Sequence, residues 1–153
     1  MIALRDSTAG DRPFLADVFA SSRERELAAL PESMKEAFLV QQFTAQDTDY
    51  RNRWPDARFL VVERDGEAIG RLYRVVLPGE LHVIDIALLP PWRGSGIGSG
   101  LFADLFAEAD AAGLRTTLYV EQWNPARRLY ERLGFAEVSR DAVYTLMERA
   151  ALS

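Results

Sequence analysis

Residues 81–89, Leu-His-Val-Ile-Asp-Ile-Ala-Leu-Leu, form a nearly continuous apolar run bounded by Glu80 and Pro90-Pro91. A run of this length and composition reads as a central strand covered on both faces. Such a strand needs neighbouring strands beside it and other elements above and below, which commits the chain to a layered sheet with helices. Two polar residues break the run, His82 and Asp85. A carboxylate inside a buried strand requires a partner or a function. On a regular strand, positions 82 and 85 face opposite sides, so only a bulge lets both reach one cleft.

The flanking sequence supplies the rest of the layers. Ile2 to Arg5 reads as a short strand. Thr8-x-x-Asp11 is a capping-box variant, with Pro13 in the first turn of a helix that carries Phe14, Leu15, Val18 and Phe19 at helical spacing. A second helical stretch runs from Pro31 to before Pro55. Its stripe is thin, because Gln41, Gln42, Gln46 and Tyr50 interrupt it, and a helix of this kind often covers a cleft or a partner. Phe59 to Glu63 and Ile69 to Leu77 flank a hairpin turn at Asp65-Gly66, and Pro78-Gly79 makes the next turn. Beyond the central strand, a helix spans about Ile97 to Ala112, closed by Gly113. Thr116 to Val120 is a strand. Asn124-Pro125 opens a short helix through Leu133, closed by Gly134, and Val143 to Met147 is the last strand. The order predicts a single domain over residues 1–153: an α+β (mixed α/β) fold with a mostly antiparallel central sheet and one parallel strand–helix–strand pair.

Composition removes whole classes of chemistry. The 153 residues include no Cys and one His. That excludes disulfides, thiolate zinc sites, iron–sulfur clusters and thiol nucleophiles, and no His-rich metal centre can form. No metal is therefore expected. With 18 Lys and Arg against 23 Asp and Glu, the formal net charge is −5, which argues against nucleic acid as a partner. No apolar run approaches the ~18–20 residues that span a bilayer, and the start lacks a basic segment followed by an apolar one. The expectation is no membrane partner and a cytoplasmic location.

Between the central strand and the next helix lies Pro90-Pro91-Trp92-Arg93-Gly94-Ser95-Gly96-Ile97-Gly98-Ser99-Gly100. Four glycines in seven positions strip side chains from the turn. Backbone N–H groups can then converge on one anion, with the helix N-terminus adding partial positive charge. Such a cradle suits a phosphate or pyrophosphate. The dinucleotide pattern G-x-G-x-x-G fails: from Gly94 its last position is Ser99, and from Gly96 it is Leu101. No Gly-Lys-Ser/Thr is present, so the turn is not a P-loop. What fits is Arg-x-x-Gly-x-Gly, at Arg93 to Gly98.

That loop, the strand ending at Ile86-Ala87-Leu88-Leu89-Pro90, the helix after it, and Asn124-Pro125-Ala126 leading into Leu129-Tyr130-Glu131-Arg132-Leu133-Gly134-Phe135 together resemble the GNAT N-acetyltransferase superfamily. The last phrase is similar to that family's N-x-x-A-x-x-x-Y-x-x-x-G-F block, shortened by one residue after the Asn. The resemblance covers about Leu81 to Phe135. It implies a GNAT-like fold, with helices on both faces of the sheet and the parallel strands splayed into a V that receives acetyl-CoA as co-substrate.

The resemblance also assigns roles. Amides of Arg93, Gly94, Ser95, Gly96, Ile97, Gly98 and Ser99 would hold the pyrophosphate. Pantetheine would add to the strand edge at Ile86, Ala87 and Leu88. The amide of Leu88 would donate to the thioester oxygen. Asn124 would bond the pantetheine arm, and Arg127, with Arg128 and Arg132, would screen the CoA phosphates. Tyr130 would protonate the departing thiolate. With no Cys to carry an acyl group, transfer would run directly to an amine. His82, with an ordinary pKa near ~6.5, or its rival Asp85 would take the amine's proton, and Glu80 and Glu121 are weaker candidates. Phe38, Gln42, Tyr50, Trp54, Tyr73, Trp123 and Tyr144 are candidate linings for the acceptor. Three rival readings stay open: an inactive acyl-CoA sensor or interaction module on the same fold, an enzyme using another acyl-CoA, and a phosphate-binding domain unrelated to CoA. A homodimer is also open.

Overall fold

The computed structural model describes residues 1–152. Seven strands and five helices alternate along them. They are β1 (Ile2–Asp6), α1 (Arg12–Ser21), α2 (Glu24–Ala28), α3 (Glu32–Arg53), β2 (Arg58–Arg64), β3 (Glu67–Leu77), β4 (Glu80–Leu88), α4 (Ile97–Ala112), β5 (Arg115–Glu121), α5 (Ala126–Arg132), β6 (Ala136–Arg140) and β7 (Tyr144–Arg149). Short 3-10 turns precede α1, at Ala9–Asp11, and follow β4, at Pro90–Trp92. The sheet order is β1-β2-β3-β4-β5-β7-β6. β4 and β5 pair in parallel, while β1 with β2, β5 with β7 and β6 with β7 pair antiparallel. This is the mixed α/β class with one parallel pair that the element order implies. None of the helices among the described residues is long and apolar enough to cross a membrane.

The chain divides into two compact units. The first comprises Met1–Tyr73 and Asp85–Arg93; the second comprises Arg74–Ile84 and the chain from Gly94 onward. In the first, Leu15, Val18 and Phe19 of α1, Phe43 of α3, and Leu60, Val61, Val62, Ile69 and Leu72 form the core. Phe19 and Phe43 meet edge to face at 5.8 Å. Asp65 and Gly66 both take positive φ, as a two-residue β2–β3 turn requires. Only Phe43 is buried on the whole of α3, in keeping with its thin apolar stripe.

In the second unit, α4 buries Leu101, Phe102, Leu105, Phe106 and Ala109. That face follows the i, i+4 rows read from the sequence, with the aromatics at 102 and 106 widening it. Gly113 ends the helix at φ +70°, and Leu114 N–H donates back to the Ala109 carbonyl at 2.8 Å. Leu81, Val83, Leu118, Val120, Phe135 and Met147 complete this core.

Two features depart from the sequence expectation. The short helix α2 lies where no element was expected. More informative is β4, whose first half is buried at Leu81, His82 and Val83 while Ile84 to Ala87 are only half-buried. The parallel ladder explains this: it runs from Glu80↔Arg115 to Val83↔Leu118 and stops there. β4 continues to Leu88 and β5 to Glu121.

Candidate active site

The far half of β4, in the first unit, carries the charge that interrupts the apolar run. Asp85 Oδ2 accepts from Arg71 Nη2 at 2.6 Å and from the Tyr50 hydroxyl at 3.3 Å. Arg71 Nη2 also donates to Gln46 Oε1 at 2.9 Å. The Arg71 side chain is only 3% exposed and that of Asp85 18%. Two of the polar residues that thin the stripe of α3, Gln46 and Tyr50, thus hydrogen-bond to a buried ion pair. Burial works against the Arg71 charge and Asp85 works for it, and on balance its pKa is raised. Tyr73 lies beneath the guanidinium, 4.8 Å from Arg71 Cζ to the ring centroid, and burial pushes its hydroxyl pKa up. Trp54, Tyr50, Tyr73 and Phe59 meet in that order, tilted or edge to face, at 5.0–6.0 Å. Tyr73 is 1% exposed, so among the acceptor-lining candidates it is a core residue.

β4 is irregular just beyond Asp85. A two-residue turn at Pro78-Gly79 sets Leu77 opposite Glu80, and regular pairing would then set Ile69 opposite Leu88. Instead Leu89 N–H donates to the Ile69 carbonyl at 2.8 Å, one residue further along. One extra residue on β4 is a β-bulge. Arg93 turns back onto this segment: its Nε donates to the Leu88 carbonyl at 2.9 Å and its Nη2 to Ser21 Oγ at 3.2 Å. The Arg93 amide donates to the Pro90 carbonyl at 3.2 Å. Arg93 therefore braces the end of β4, and its own amide closes the 3-10 turn.

The glycine turn follows in the second unit. Gly94 (φ +73°) and Gly96 (φ +86°) take the left-handed conformation that side chains disfavour. Gly98 and Gly100 do not, and a Cβ at either would meet nothing within 4 Å. Neither backbone conformation nor internal packing demands glycine there, although each costs about 1 kcal/mol inside a helix. Open space without side chains at a helix start is what a closely approaching phosphate needs. The first bond of α4 runs from Gly100 N–H to the Gly96 carbonyl, so the amides of Ile97, Gly98 and Ser99 form the initial turn, where no intrahelical acceptor exists. The chain's residues fit a bound pyrophosphate.

His82, in the same unit, is 3% exposed. Its Nδ1 lies 2.8 Å from Thr117 Oγ1, and the Thr117 hydroxyl donates to Glu80 Oε1 at 3.1 Å. A hydroxyl has one proton. With that proton on the carboxylate side, Thr117 accepts from His82 Nδ1–H, and the ring's basic lone pair falls on Nε2. Glu80 is itself held by Arg115 at 2.7 Å. Tyr119 packs against the imidazole edge to face at 5.5 Å. His82 thus contacts Thr117 and Tyr119, and Asp85 is held by Arg71 and Tyr50.

Tyr130 is half-buried, its ring edge-on to Phe102 at 5.7 Å and Phe135 at 5.9 Å. That aromatic nest fixes the ring on α5. Asn124 Oδ1 accepts from Ala126 N–H and its Nδ2 donates to Glu121 Oε2, both at 2.9 Å. It caps the start of α5, as its position before Pro125 suggests. Arg127 is engaged by Glu137 at 3.1 Å and Glu131 at 3.5 Å, whereas Arg128 and Arg132 are exposed. Gly70, Arg71 and Thr117 carry no motif that marks them in the sequence, and Gln46 is marked there only as a break in the apolar stripe of α3. For Arg71 a signal exists: a cation among the apolar residues of β3, next to a strand broken by one anion.

Comparison with known proteins bears on the family and the fold. The model of the acetyltransferase (GNAT) family matches residues 27–135. A mycothiol acetyltransferase of Streptomyces avermitilis is 37% identical over 110 residues, 66% of this chain and 35% of that protein. The chain thus spans about a third of the length of that relative. A ribosomal protein bS18 alanine N-acetyltransferase of Haemophilus influenzae is 40% identical over 60 residues, 39% of this chain and 41% of that one. Among solved structures, the PaiA N-acetyltransferase of Thermoplasma acidophilum in complex with coenzyme A shares the fold at a TM-score of 0.74 and 19% identity, covering 98% of this chain and 99% of that one. With the family model spanning well over half of its residues, the chain belongs to the acetyltransferase (GNAT) family.

Proposed function

We propose that the chain is a single-domain N-acetyltransferase that moves an acetyl group from acetyl-CoA directly to a primary amine. The observation that carries this reading is the turn at the start of α4. Gly94 and Gly96 are left-handed, and Gly98 and Gly100 keep open space that nothing inside the protein requires. Acetyl-CoA would supply the activated thioester. Amides from Gly94 to Ser99 would hold its pyrophosphate, and the edge of β4 at Ile86 to Leu88 would hydrogen-bond its pantetheine arm. The relatives named for mycothiol and for a ribosomal-protein alanine agree with transfer to nitrogen.

Each catalytic role falls to a group of this chain. Leu88 N–H donates to the thioester oxygen, where negative charge develops. Tyr130 O–H gives its proton to the departing sulfur, its ring held by Phe102 and Phe135. His82 Nε2 accepts the amine's proton through water, because the Glu80–Thr117 pair holds the ring proton on Nδ1. Asp85, tied to Arg71 and Tyr50, shapes the segment that precedes the bulge. Arg93 and Asn124 hold their backbone segments in place, and Arg127, neutralised by Glu131 and Glu137, adds little to phosphate screening.

The test is release of thiol from acetyl-CoA against a panel of amines: polyamines, amino acids, aminoglycoside-like compounds and peptides with free N-termini. Amine-dependent release supports the reading. Acetyl-CoA that raises the melting temperature without any release supports a sensor on the same fold, and stabilisation by ATP or NAD but not by acetyl-CoA overturns the cradle assignment.

A further inference from the structure

We infer that Gly70 is a positioning residue of the acyl transfer, holding open the space that lets the Ala87–Leu88 peptide present its N–H; this rests on the reading of Leu88 given above. Gly70 is buried in β3, and its φ is not positive. Its backbone conformation therefore admits any residue, and the reason for glycine lies in what surrounds it. A Cβ at Gly70 would come under 3.0 Å from the Ala87 carbonyl oxygen, 2.8 Å from Leu88 Cδ2 and 3.1 Å from Leu88 Cα. The first and third of these neighbours are backbone and cannot swing away as a side chain can.

A Cβ points out of a sheet, so a carbonyl oxygen occupying that position leans over the face of β3. All peptide bonds among the described residues are trans. In a planar trans peptide the C=O and N–H point in opposite directions. With the Ala87 carbonyl turned onto Gly70, the Leu88 N–H of the same peptide is turned away from β3. The next peptide is pinned at both ends: Leu89 N–H donates to the Ile69 carbonyl at 2.8 Å and the Leu88 carbonyl accepts from Arg93 Nε at 2.9 Å. The bulge thus has one rigid neighbour in the chain and one gap beneath it. Filling the gap forces the Ala87–Leu88 peptide to rotate, which swings the N–H off its line.

The experiment compares Gly70→Ala with wild type by infrared difference spectroscopy of bound acetyl-CoA carrying a 13C-labelled acetyl carbonyl. A hydrogen bond from Leu88 N–H lowers the thioester carbonyl frequency. In wild type the bound frequency should lie below that in water. In Gly70→Ala it should move back toward that value, and kcat should fall by about 10²–10³-fold, the usual loss for one oxyanion donor, with acetyl-CoA affinity unchanged. To keep the fold secure, the same comparison is made in a Leu88→Ala background, which removes the Cδ2 contact and retains the amide. A Gly70→Ala protein with wild-type carbonyl frequency and kcat overturns the inference. A wild-type protein that binds no acetyl-CoA overturns the acetyl-transfer reading and the inference together, and wild type alone reveals it.

Discussion

Replacing Asp85 tests whether this carboxylate is a structural counter-ion or a catalytic base. In the Asp85→Ala variant, Arg71 keeps its hydrogen bond to Gln46 Oε1 at 2.9 Å and loses the one to Asp85 at 2.6 Å. The Arg71 side chain is 3% exposed, and its Nε already lacks a partner. Stripping one member from a buried ion pair costs about 3–5 kcal/mol, chiefly through the uncompensated charge left behind. Because the Asp85 side chain is 18% exposed, water can enter beside Arg71, and the lower end, about 3 kcal/mol, is expected. For a chain of this length that corresponds to a fall in Tm of about 6–12 °C. Asp85→Asn removes the charge and keeps an acceptor for Tyr50, so its loss should be smaller, about 1–2 kcal/mol. Replacing both partners, Arg71→Met with Asp85→Leu, should recover most of the stability. The assays are thermal and urea melting, with thiol release measured on the folded protein. An Asp85→Ala protein that melts with wild-type Tm refutes the ion-pair reasoning. An Asp85→Asn protein that stays folded and binds acetyl-CoA yet loses thiol release, beside a His82→Gln protein that keeps it, would make Asp85, not His82, the base.

Tyr130→Phe should keep the ring in its nest of Phe102 and Phe135 and lower kcat by about 10²–10⁴-fold, with acetyl-CoA affinity nearly constant; unchanged turnover would make Tyr130 a packing residue only. Gly96→Val should abolish acetyl-CoA binding, since φ +86° excludes a β-branched residue and the side chain would fill the cradle; calorimetry showing retained affinity would refute the cradle. Asp11 is held well below the usual carboxylate range, first by its hydrogen bonds with Arg5 and then by Thr8 N–H. Its stabilisation is therefore complete above the unfolded value near ~3.9 and fades as pH falls below it. Asp11→Asn should lower Tm at neutral pH and flatten its fall under acid, and a variant with the wild-type acid slope would contradict this.

Much of the fold is legible because local rules and burial agree. α4 has apolar rows at 101, 105 and 109 and a left-handed Gly113 after its last turn, so its bounds follow from periodicity and capping alone. The Asp65-Gly66 turn fixes the β2–β3 hairpin in the same way. What escapes is what depends on pairing. The apolar run of β4 reads as buried throughout, yet its ladder to β5 ends at Val83↔Leu118, and nothing in residues 84–88 themselves marks that end. The strand-sheet order β5-β7-β6 likewise places β7 between two strands that precede it in sequence, a choice made by long-range contacts.

The candidate site divides along the same line. Residues that act through backbone geometry are visible, because glycine is an unambiguous signal: Gly94 and Gly96 declare positive φ, and Gly98 and Gly100 declare room. Residues that act through side-chain networks are half visible. His82 and Asp85 stand out as polar breaks in one strand, and alternation alone would place them on opposite faces. The structure sets Thr117, itself bonded to Glu80, against His82, and Arg71 and Tyr50 against Asp85. Thr117 and Tyr50 lie 35 residues away and Arg71 lies on another strand, where no sequence spacing couples them. The same holds for Gly70, which is conspicuous only when the Ala87 carbonyl above it is known. A glycine within a buried strand whose φ is ordinary is therefore a prompt to look across the ladder: the missing side chain is a vacancy that the neighbouring strand uses, and here the neighbour is the one peptide whose N–H direction the proposed chemistry depends on.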